Sequence, residues 1–305
     1  MSATEINREP AVVAGNAPEA DDVTGADSPA ALRCPRNFLE NRFVYLYVSS
    51  RTEGLAIGVN MNPDGGCNFN CAYCEVDRTK TVGGVLDVER LAGELRATLE
   101  FVHAGRMQTL ACFSALPAEL RKLRQVSLSG DGEPTLSPVF CEAVETVVHL
   151  RAICGMPFFK LVLVTNASAF DRPRVQEGLR QLTRQDEIWA KLDVGTQAGF
   201  ERVNRGSDRL DHVLANVLLV ARERPVVIQT LFANIDGVIP TPAEIAEYVE
   251  RLRELQQGRA QISGVQIYSA SRPTPKAGCG HLPLRTLSTI AQQVRAATGL
   301  RVTVY

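Results

Sequence analysis

Aromatic residues are scarce in this 305-residue sequence, at 6% with a single Trp, and there are only four His. No uncharged apolar run reaches 18 residues, so no segment reads as a membrane-spanning helix. Charge of one sign is not in excess either: 33 Lys and Arg face 34 Asp and Glu, for a formal net charge of -1. That balance excludes a simple polybasic binder of nucleic acid or anionic membrane, although a local basic groove remains compatible with it. The stretch Met1 to Arg8 is polar, contains Glu5 and has no apolar core behind it. It does not read as a secretory signal, and a cytoplasmic location is expected. Eight Cys are too sparse for a small disulfide scaffold. Their placement is uneven, however: Cys67, Cys71 and Cys74 crowd into eight residues, while Cys34, Cys112, Cys141, Cys154 and Cys279 scatter.

Residues 1–32 are dominated by Ala, Asp, Glu, Gly and Pro and contain no aromatic residue. Such a stretch cannot bury enough apolar surface to offset its ordering entropy, and a disordered tail is expected. From Phe38 onward the composition is that of a globular domain, without internal repeats or low-complexity linkers. Short β-branched runs alternate there with longer amphipathic ones. Strands are expected at 55–60, 125–129, 160–165, 189–194, 226–231 and 263–268, and helices near 88–103, 138–151, 171–183, 208–222, 242–256 and 285–297. Asp87 and Ser137 are candidate N-caps, and Pro242 suits a first helical turn. Strand–helix alternation of this kind gives a parallel sheet.

Six strands at roughly 36 residues per unit match the unit size of an eightfold barrel but cannot complete one. Position parity separates the faces of each strand. Ala190, Leu192 and Val194 oppose Trp189, Lys191 and Asp193, Val126 and Leu128 oppose Ser127 and Ser129, and Gln266 and Tyr268 oppose Val265 and Ile267. Strands covered by helices on both faces should be apolar throughout. Here one face carries polar groups, which suits an α/β fold of the open, partial (β/α)6 barrel type with a polar cavity at its C-terminal mouth.

The three clustered cysteines follow the first of these strands, in Asn62-Pro63-Asp64-Gly65-Gly66-Cys67-Asn68-Phe69-Asn70-Cys71-Ala72-Tyr73-Cys74. The run Asn62–Gly66 is turn-forming and opens the loop. Steps of C-x3-C and C-x2-C hold thiolates close enough to share one metal centre, and an odd trio cannot be consumed by disulfides. Structural zinc would need a fourth ligand from afar, from Cys34, Cys279 or His281. An iron–sulfur cubane held by three thiolates would leave one iron open to another molecule, and the spacing favours it over zinc.

Cys67-x3-Cys71-x2-Cys74, with Tyr73 before the last Cys and a strand upstream, resembles the radical S-adenosylmethionine (SAM) superfamily. The resemblance implies a [4Fe-4S] cluster on these three Cys and a SAM molecule chelating its open iron. One electron would then cleave SAM to methionine and a 5′-deoxyadenosyl radical, which takes a hydrogen atom from the substrate. A second motif, Leu128-Ser129-Gly130-Asp131-Gly132-Glu133-Pro134-Thr135-Leu136, follows the second strand. It is similar to the family's Gly-Gly-Glu-Pro element, which receives the SAM ammonium group, except that Asp131 stands where the first Gly usually is. The Gly-x-Gly-Glu-Pro-Thr-Leu form resembles the branch of wyosine-synthase-like proteins. By the same resemblance Tyr73, Gly130, Asp131, Gly132, Glu133, Asn166, Lys191, Asp193 and Gln229 are candidates for holding SAM, although an internal ion pair explains Lys191 and Asp193 nearly as well. Residues 33–305 are then expected to form the catalytic domain, with a C-terminal extension from about residue 270. Glu53 and Asn60 lie before the cysteine loop without an assigned role.

Among the other Cys, 112, 141 and 154 read as small buried hydrophobes. Candidate substrate groups are Gln266, Tyr268 and Arg272, from the sixth strand and the loop after it, with Asn204 and Arg205 after the fourth. Of three substrate classes a tRNA nucleoside stands slightly ahead, with the backbone of a partner protein (as for a glycyl-radical-enzyme activase) and a small molecule or peptide as the alternatives. The densest basic run available to grip RNA is modest, Arg121-Lys122-Leu123-Arg124. A low-potential electron donor of the flavodoxin or ferredoxin type is the implied partner. A non-catalytic zinc or iron–sulfur module is the competing reading, and it leaves Glu133 and its glycines without a purpose.

Overall fold

The computed structural model describes residues 32–33, 38–80, 83–270, 274–276 and 278–305. The expected tail up to residue 31, Cys34 and Arg272 lie outside the described residues. The described strands are β1 (Leu32–Arg33), β2 (Val44–Ser49), β3 (Gly54–Asn60), β4 (Leu123–Ser129), β5 (Lys160–Thr165), β6 (Glu187–Lys191), β7 (Val226–Leu231), β8 (Asn234–Ile235), β9 (Ile262–Tyr268), β10 (Cys279–Gly280) and β11 (Val302–Val304). The α-helices are α1 (Val88–His103), α2 (Ala111–Ser114), α3 (Phe140–Ile153), α4 (Pro173–Arg180), α5 (Gln197–Val203), α6 (Leu210–Glu223), α7 (Pro242–Gln257) and α8 (Leu284–Thr298). Among the described residues no helix is long and apolar enough to cross a membrane.

The main sheet runs in the order β1-β2-β3-β4-β5-β6-β7-β9-β11. Within it β3, β4, β5, β6, β7, β9 and β11 are mutually parallel and β2 returns antiparallel on β3, while β8 and β10 form a separate antiparallel pair. The six expected strands are β3, β4, β5, β6, β7 and β9, in sequential order, as successive strand–helix–strand units that all advance in one direction produce. Three strands of this sheet were not expected: β2, a hairpin strand on β3, the two-residue β1 antiparallel to β2, and β11, which carries the stretch after residue 270 back into the sheet beside β9. The edges β1 and β11 do not pair with each other, so the barrel stays open. It is nevertheless strongly curled: the Arg51 guanidinium, from the β2–β3 turn, lies 4.3 Å from the centre of the Tyr268 ring on β9.

The outer face of the sheet packs into one large core with the helices, through residues such as Ile57, Leu128, Leu163, Ala190, Ile228 and Ile267. The inner face holds a smaller apolar cluster of Val162, Trp189 and Val227. Inner polar groups bond to one another across strands: Tyr47 to Ser127 at 2.9 Å, Tyr45 to Ser129 at 3.1 Å, and Gln229 to Gln266 at 2.8 Å. The parity read from sequence therefore separates the two faces correctly.

Local signals place the helix ends. Asp87 caps α1 by accepting the Arg90 N–H at 2.9 Å. Pro242 occupies the first turn of α7 behind a capping box formed by Thr241 and Glu244. Ser137 does not cap α3: it ends a 3-10 turn over Pro134–Leu136, and the helix starts at Phe140 with Val139 in the cap position. The fourth strand is also shorter than expected, ending at Lys191, so that Asp193 lies beyond the ladder in the loop above it.

At the opposite end of the barrel one buried carboxylate joins three elements. Asp186 takes both arms of Arg151 from α3 at 2.6 and 3.0 Å, the Leu161 N–H of β5 at 2.7 Å, and the Thr183 N–H and hydroxyl at 2.8 and 2.9 Å. Burial works to raise its pKa, but the Arg151 guanidinium and these N–H donors outweigh burial and hold it below the usual carboxylate value. A depressed carboxylate stabilises the fold above its unfolded pKa and loses that contribution as pH falls through its folded one. Asp186→Asn is therefore expected to cost about 2–4 kcal/mol at neutral pH in urea denaturation. The gap to the native protein should close in acid, below the ordinary value of 3.8. A gap that widened in acid would contradict this account.

Candidate functional site

The C-terminal ends of β3, β4, β5 and β6 converge on the cysteine loop. Its root is Asn60, the last residue of β3. The Asn60 Oδ1 accepts the Asp131 N–H at 3.0 Å and the Asn62 N–H at 3.3 Å, while its Nδ2 donates to Asp131 Oδ2 at 2.7 Å. The residue that departs from the Gly-Gly-Glu-Pro pattern is thus one half of a side-chain latch between the two loops. Gly130 is held at a φ of +124°, and a Cβ there would come within 2.2 Å of Asn60 Oδ1.

Two residues later the loops touch through their backbones. A Cβ on Gly132 would lie 2.1 Å from the Gly66 carbonyl oxygen, and that oxygen accepts the Glu133 N–H at 2.9 Å. Glu133 is buried, with 3% exposure. Its carboxylate accepts the Thr135 N–H at 3.1 Å, the Asn166 N–H at 2.7 Å, and the hydroxyls of Thr135 and Thr165. Burial raises its pKa and these donors oppose the rise. Glu133 thereby fastens the end of β5 to the end of β4. Asn166 reaches on to the cysteine loop, with its Nδ2 2.9 Å from Asn68 Oδ1 and 3.9 Å from the Cys67 sulfur.

The other side of the loop rests on α5, which the sequence reading did not foresee. Phe69 packs edge-on against Phe200 with ring centres 5.1 Å apart, and the N–H groups of Asn70 and Ala72 donate to the carbonyls of Asn204 and Val203. The Asn204 Nδ2 lies 2.8 Å from Asp193 Oδ2 and 3.8 Å from the Cys71 sulfur. Asp193 also accepts the Tyr73 hydroxyl at 2.5 Å and the Leu231 N–H at 2.7 Å, and it pairs with Lys191 at 2.8 Å. Lys191 donates to the Tyr268 hydroxyl at 2.9 Å and sits 5.0 and 4.8 Å from the ring centres of Tyr73 and Tyr268. Burial works against the Lys191 charge, but Asp193 and Tyr268 raise its pKa above the ordinary lysine value. This is an internal ion pair built into the wall of the mouth.

All three cysteines are free and partly accessible. Burial pushes the Cys67 thiol up and the Cys71 thiol up to about 12, with Asp193 adding to the latter. Loading a metal group onto them must therefore release protons. Donors are already aimed at sulfur, from the Phe69 N–H and Asn166 to Cys67 and from Asn204 to Cys71. Among the described residues no three His, Cys, Asp or Glu side chains converge closely enough to hold one metal ion.

The structure brings Tyr73, Gly130, Asp131, Gly132, Glu133, Asn166, Lys191, Asp193 and Asn204 together around this loop. Gln229 and Gln266 lie one step deeper, paired inside the barrel, and Tyr268 links that layer to the mouth. Arg205 stands on the outer rim, 3.8 Å from Asp236, and does not enter. Cys279, on β10, packs among Ala72, Tyr73 and Ile235, while His281 is placed against the Ala270 carbonyl. The basic run Arg121–Arg124 lies where β4 begins, at the end of the barrel away from the cysteines. One contact left no trace in the sequence: the Lys276 ammonium is 2.8 Å from the Asn70 carbonyl and 2.9 Å from the Cys71 carbonyl.

No protein-family model matches the chain. It is 25% identical over 225 residues to a UPF0026 protein of Helicobacter pylori (strain J99), covering 72% of this chain and 64% of that one. It is also 25% identical over 283 residues to the UPF0026 protein slr1464 of Synechocystis, covering 85% and 94%. The chain thus spans a little under two thirds of the Helicobacter relative and nearly all of the Synechocystis one. Among solved structures it is similar to TYW1 with a lysine–pyruvate adduct bound (TM-score 0.54, 16% identity, 82% and 74% of the two chains). It also resembles a radical SAM methyltransferase from Sphaerobacter thermophilus (0.58, 18%, 86% and 72%) and Streptococcus suis SuiB bound to S-adenosylmethionine (0.57, 14%, 80% and 48%). At these identities the likeness is one of fold, and it agrees with the resemblance carried by Cys67, Cys71, Cys74 and Gly130–Glu133: the chain has the radical SAM fold.

Proposed function

We propose that the chain is a radical SAM enzyme that holds a [4Fe-4S] cluster on Cys67, Cys71 and Cys74 and binds SAM against Gly130–Glu133 and Asn166. The observation that carries this reading is the junction of the cysteine loop with the Glu133 shelf. A structural metal module needs the thiols but has no use for a buried carboxylate, two closely approached glycines and Asn166 set beside them. When bound, the cluster and SAM would supply a 5′-deoxyadenosyl radical for hydrogen abstraction.

The chain's own residues define the rest. The shelf formed by Gly130, Asp131 and Gly132 would receive the SAM ammonium. Tyr73, fixed between Asp193 and Lys191, would present its ring beside the adenosine. Lys191 and Asp193 would act mainly by holding Tyr73 and Tyr268 in place, because their charges are already satisfied by each other. Gln229, bonded to Gln266 below them, would form the floor of the site. The electron would come from a flavodoxin- or ferredoxin-type donor in a reducing cytoplasm, where three free thiols persist. Of the substrate classes, the tRNA nucleoside has the motif resemblance behind it, but the basic run proposed to grip RNA lies at the far end of the barrel. No contact among the described residues favours a partner-protein backbone or a small molecule over it.

Anaerobic reconstitution with iron and sulfide, followed by dithionite and SAM, tests the reading. The expected outcome is about four irons per chain and 5′-deoxyadenosine in the products, with Cys71→Ser abolishing both. Stoichiometric zinc in the purified protein and no 5′-deoxyadenosine would instead establish the metal module. Asn60→Ala, which opens the latch to Asp131, is expected to cost about 1–3 kcal/mol in urea denaturation and to lower cluster retention. Full retention at native stability would remove Asn60 from the account.

A further inference from the structure

Cations hold one edge of the cysteine loop. Three consecutive carbonyls there accept from charged side chains: Phe69 from the Arg78 guanidinium, and Asn70 and Cys71 from the Lys276 ammonium at 2.8 and 2.9 Å. Lys276 also donates to Asn70 Oδ1 at 2.5 Å. Every acceptor of this half-buried ammonium is thus a neutral group of the cysteine loop, and no carboxylate lies within ion-pair distance of it among the described residues. Lys191, by contrast, has its charge answered by Asp193 at 2.8 Å.

The backbone fixes both cations. Next to Lys276, the Thr274 hydroxyl donates to the Lys276 carbonyl at 2.6 Å, the Gly278 carbonyl accepts the Asp236 N–H at 2.6 Å, and Cys279 of β10 pairs with Ile235 of β8. Arg78 opens a 3-10 turn over Arg78–Lys80, shortly after the last cysteine. Both charges are felt at sulfur. Burial raises the Cys67 pKa and Glu133 adds to the rise, while Arg78 opposes it. Burial lowers the Lys276 pKa, with Arg205 and Arg78 adding to the shift, and the Cys74 and Cys71 sulfurs oppose it.

We propose that Lys276, with Arg78 in support, tunes the reduction potential of the [4Fe-4S] cluster, its unanswered positive charge favouring the reduced form. The inference rests on the radical SAM reading for the identity of the group on the three thiols. Reduction brings one electron from the flavodoxin- or ferredoxin-type donor and no proton, so the charge held at the loop becomes more negative by one. A cation fixed beside the loop stabilises that state more than the one before it. A clasp that only positioned the loop would be served equally by a neutral donor, which separates the two roles.

Redox titration of the reconstituted full chain without SAM, followed by the paramagnetic resonance signal of the reduced cluster, tests the proposal. Lys276→Gln keeps donors for the carbonyls and removes the charge. At native iron content it should shift the oxidised-to-reduced ratio about tenfold toward oxidised, a midpoint lower by about 59 mV for one electron. Lys276→Arg should restore the native midpoint. Arg106→Gln, which removes a charge stacked on Phe101 away from the loop, should leave it unchanged. A native midpoint in Lys276→Gln, or an equal shift in Arg106→Gln, overturns the proposal. Should Lys276→Gln fail to hold iron, Arg78→Gln must lower the midpoint, and a native value there overturns the proposal as well. A native chain that assembles no iron–sulfur cluster overturns the radical SAM reading itself, so the two failures are told apart.

Discussion

The architecture of the mouth depends on a single close approach, that of the Gly66 carbonyl to the backbone at Gly132 and Glu133. Two loops after neighbouring parallel strands normally diverge, each carrying side chains that keep the other at a distance. Here the missing Cβ at Gly132 lets a peptide group take the place of a side chain, and the bond from the Glu133 N–H to Gly66 fixes the separation. Everything nearer the cysteines inherits its position from this contact. Cys67 follows Gly66 directly, Asn166 is held by the Glu133 carboxylate, and Asn68 is held by Asn166. A buried carboxylate is costly unless its oxygens are satisfied. The Glu133 donors come from β5 as well as from its own turn, so satisfying the carboxylate and aligning two strands are one event.

Much of this was legible in the sequence because it is local. Strand parity separated Trp189 and Lys191 from Ala190 and Leu192, since successive residues of a strand face opposite ways. The helix over 88–103 was bounded by Asp87, whose side chain caps whatever follows it. The cysteine spacing and the Gly-x-Gly-Glu run carried the site because glycine is required where backbones meet. What remained hidden is either short or distant. Helix α5 has seven residues, too few for periodicity to register, yet it supports half of the cysteine loop. Strand β2 reads as Val-Tyr-Leu-Tyr-Val-Ser, a clear alternation, but it precedes the first strand–helix unit and adds a hairpin that no βα rhythm announces. Asn60 was conspicuous but without a role, because its partner Asp131 is 71 residues away.

The inner face of the sheet shows how a barrel can be polar inside without becoming unstable. Hydroxyl and amide groups pair across strands in successive layers, Tyr47 with Ser127 and Gln229 with Gln266, while the Gln125 Oε1 beside Ser127 is left as a buried acceptor without a partner among the described residues. Lys191 and Asp193 close the upper layer in the same manner. Glu133, at the mouth, is satisfied by N–H and hydroxyl donors rather than by a cation, so the charge buried there is also held by bonds that tie neighbouring strands together.

The Lys276 contact bears on how the protein is made. The ammonium that clasps the carbonyls of Asn70 and Cys71 lies about 200 residues downstream of them in the chain. During synthesis the cysteine loop therefore emerges, and its neighbouring strands can assemble, long before this clasp exists. The holds that Gly132, Asn166 and Asn204 place on the loop come from segments made earlier, so Lys276 is the last of them to be added along the chain.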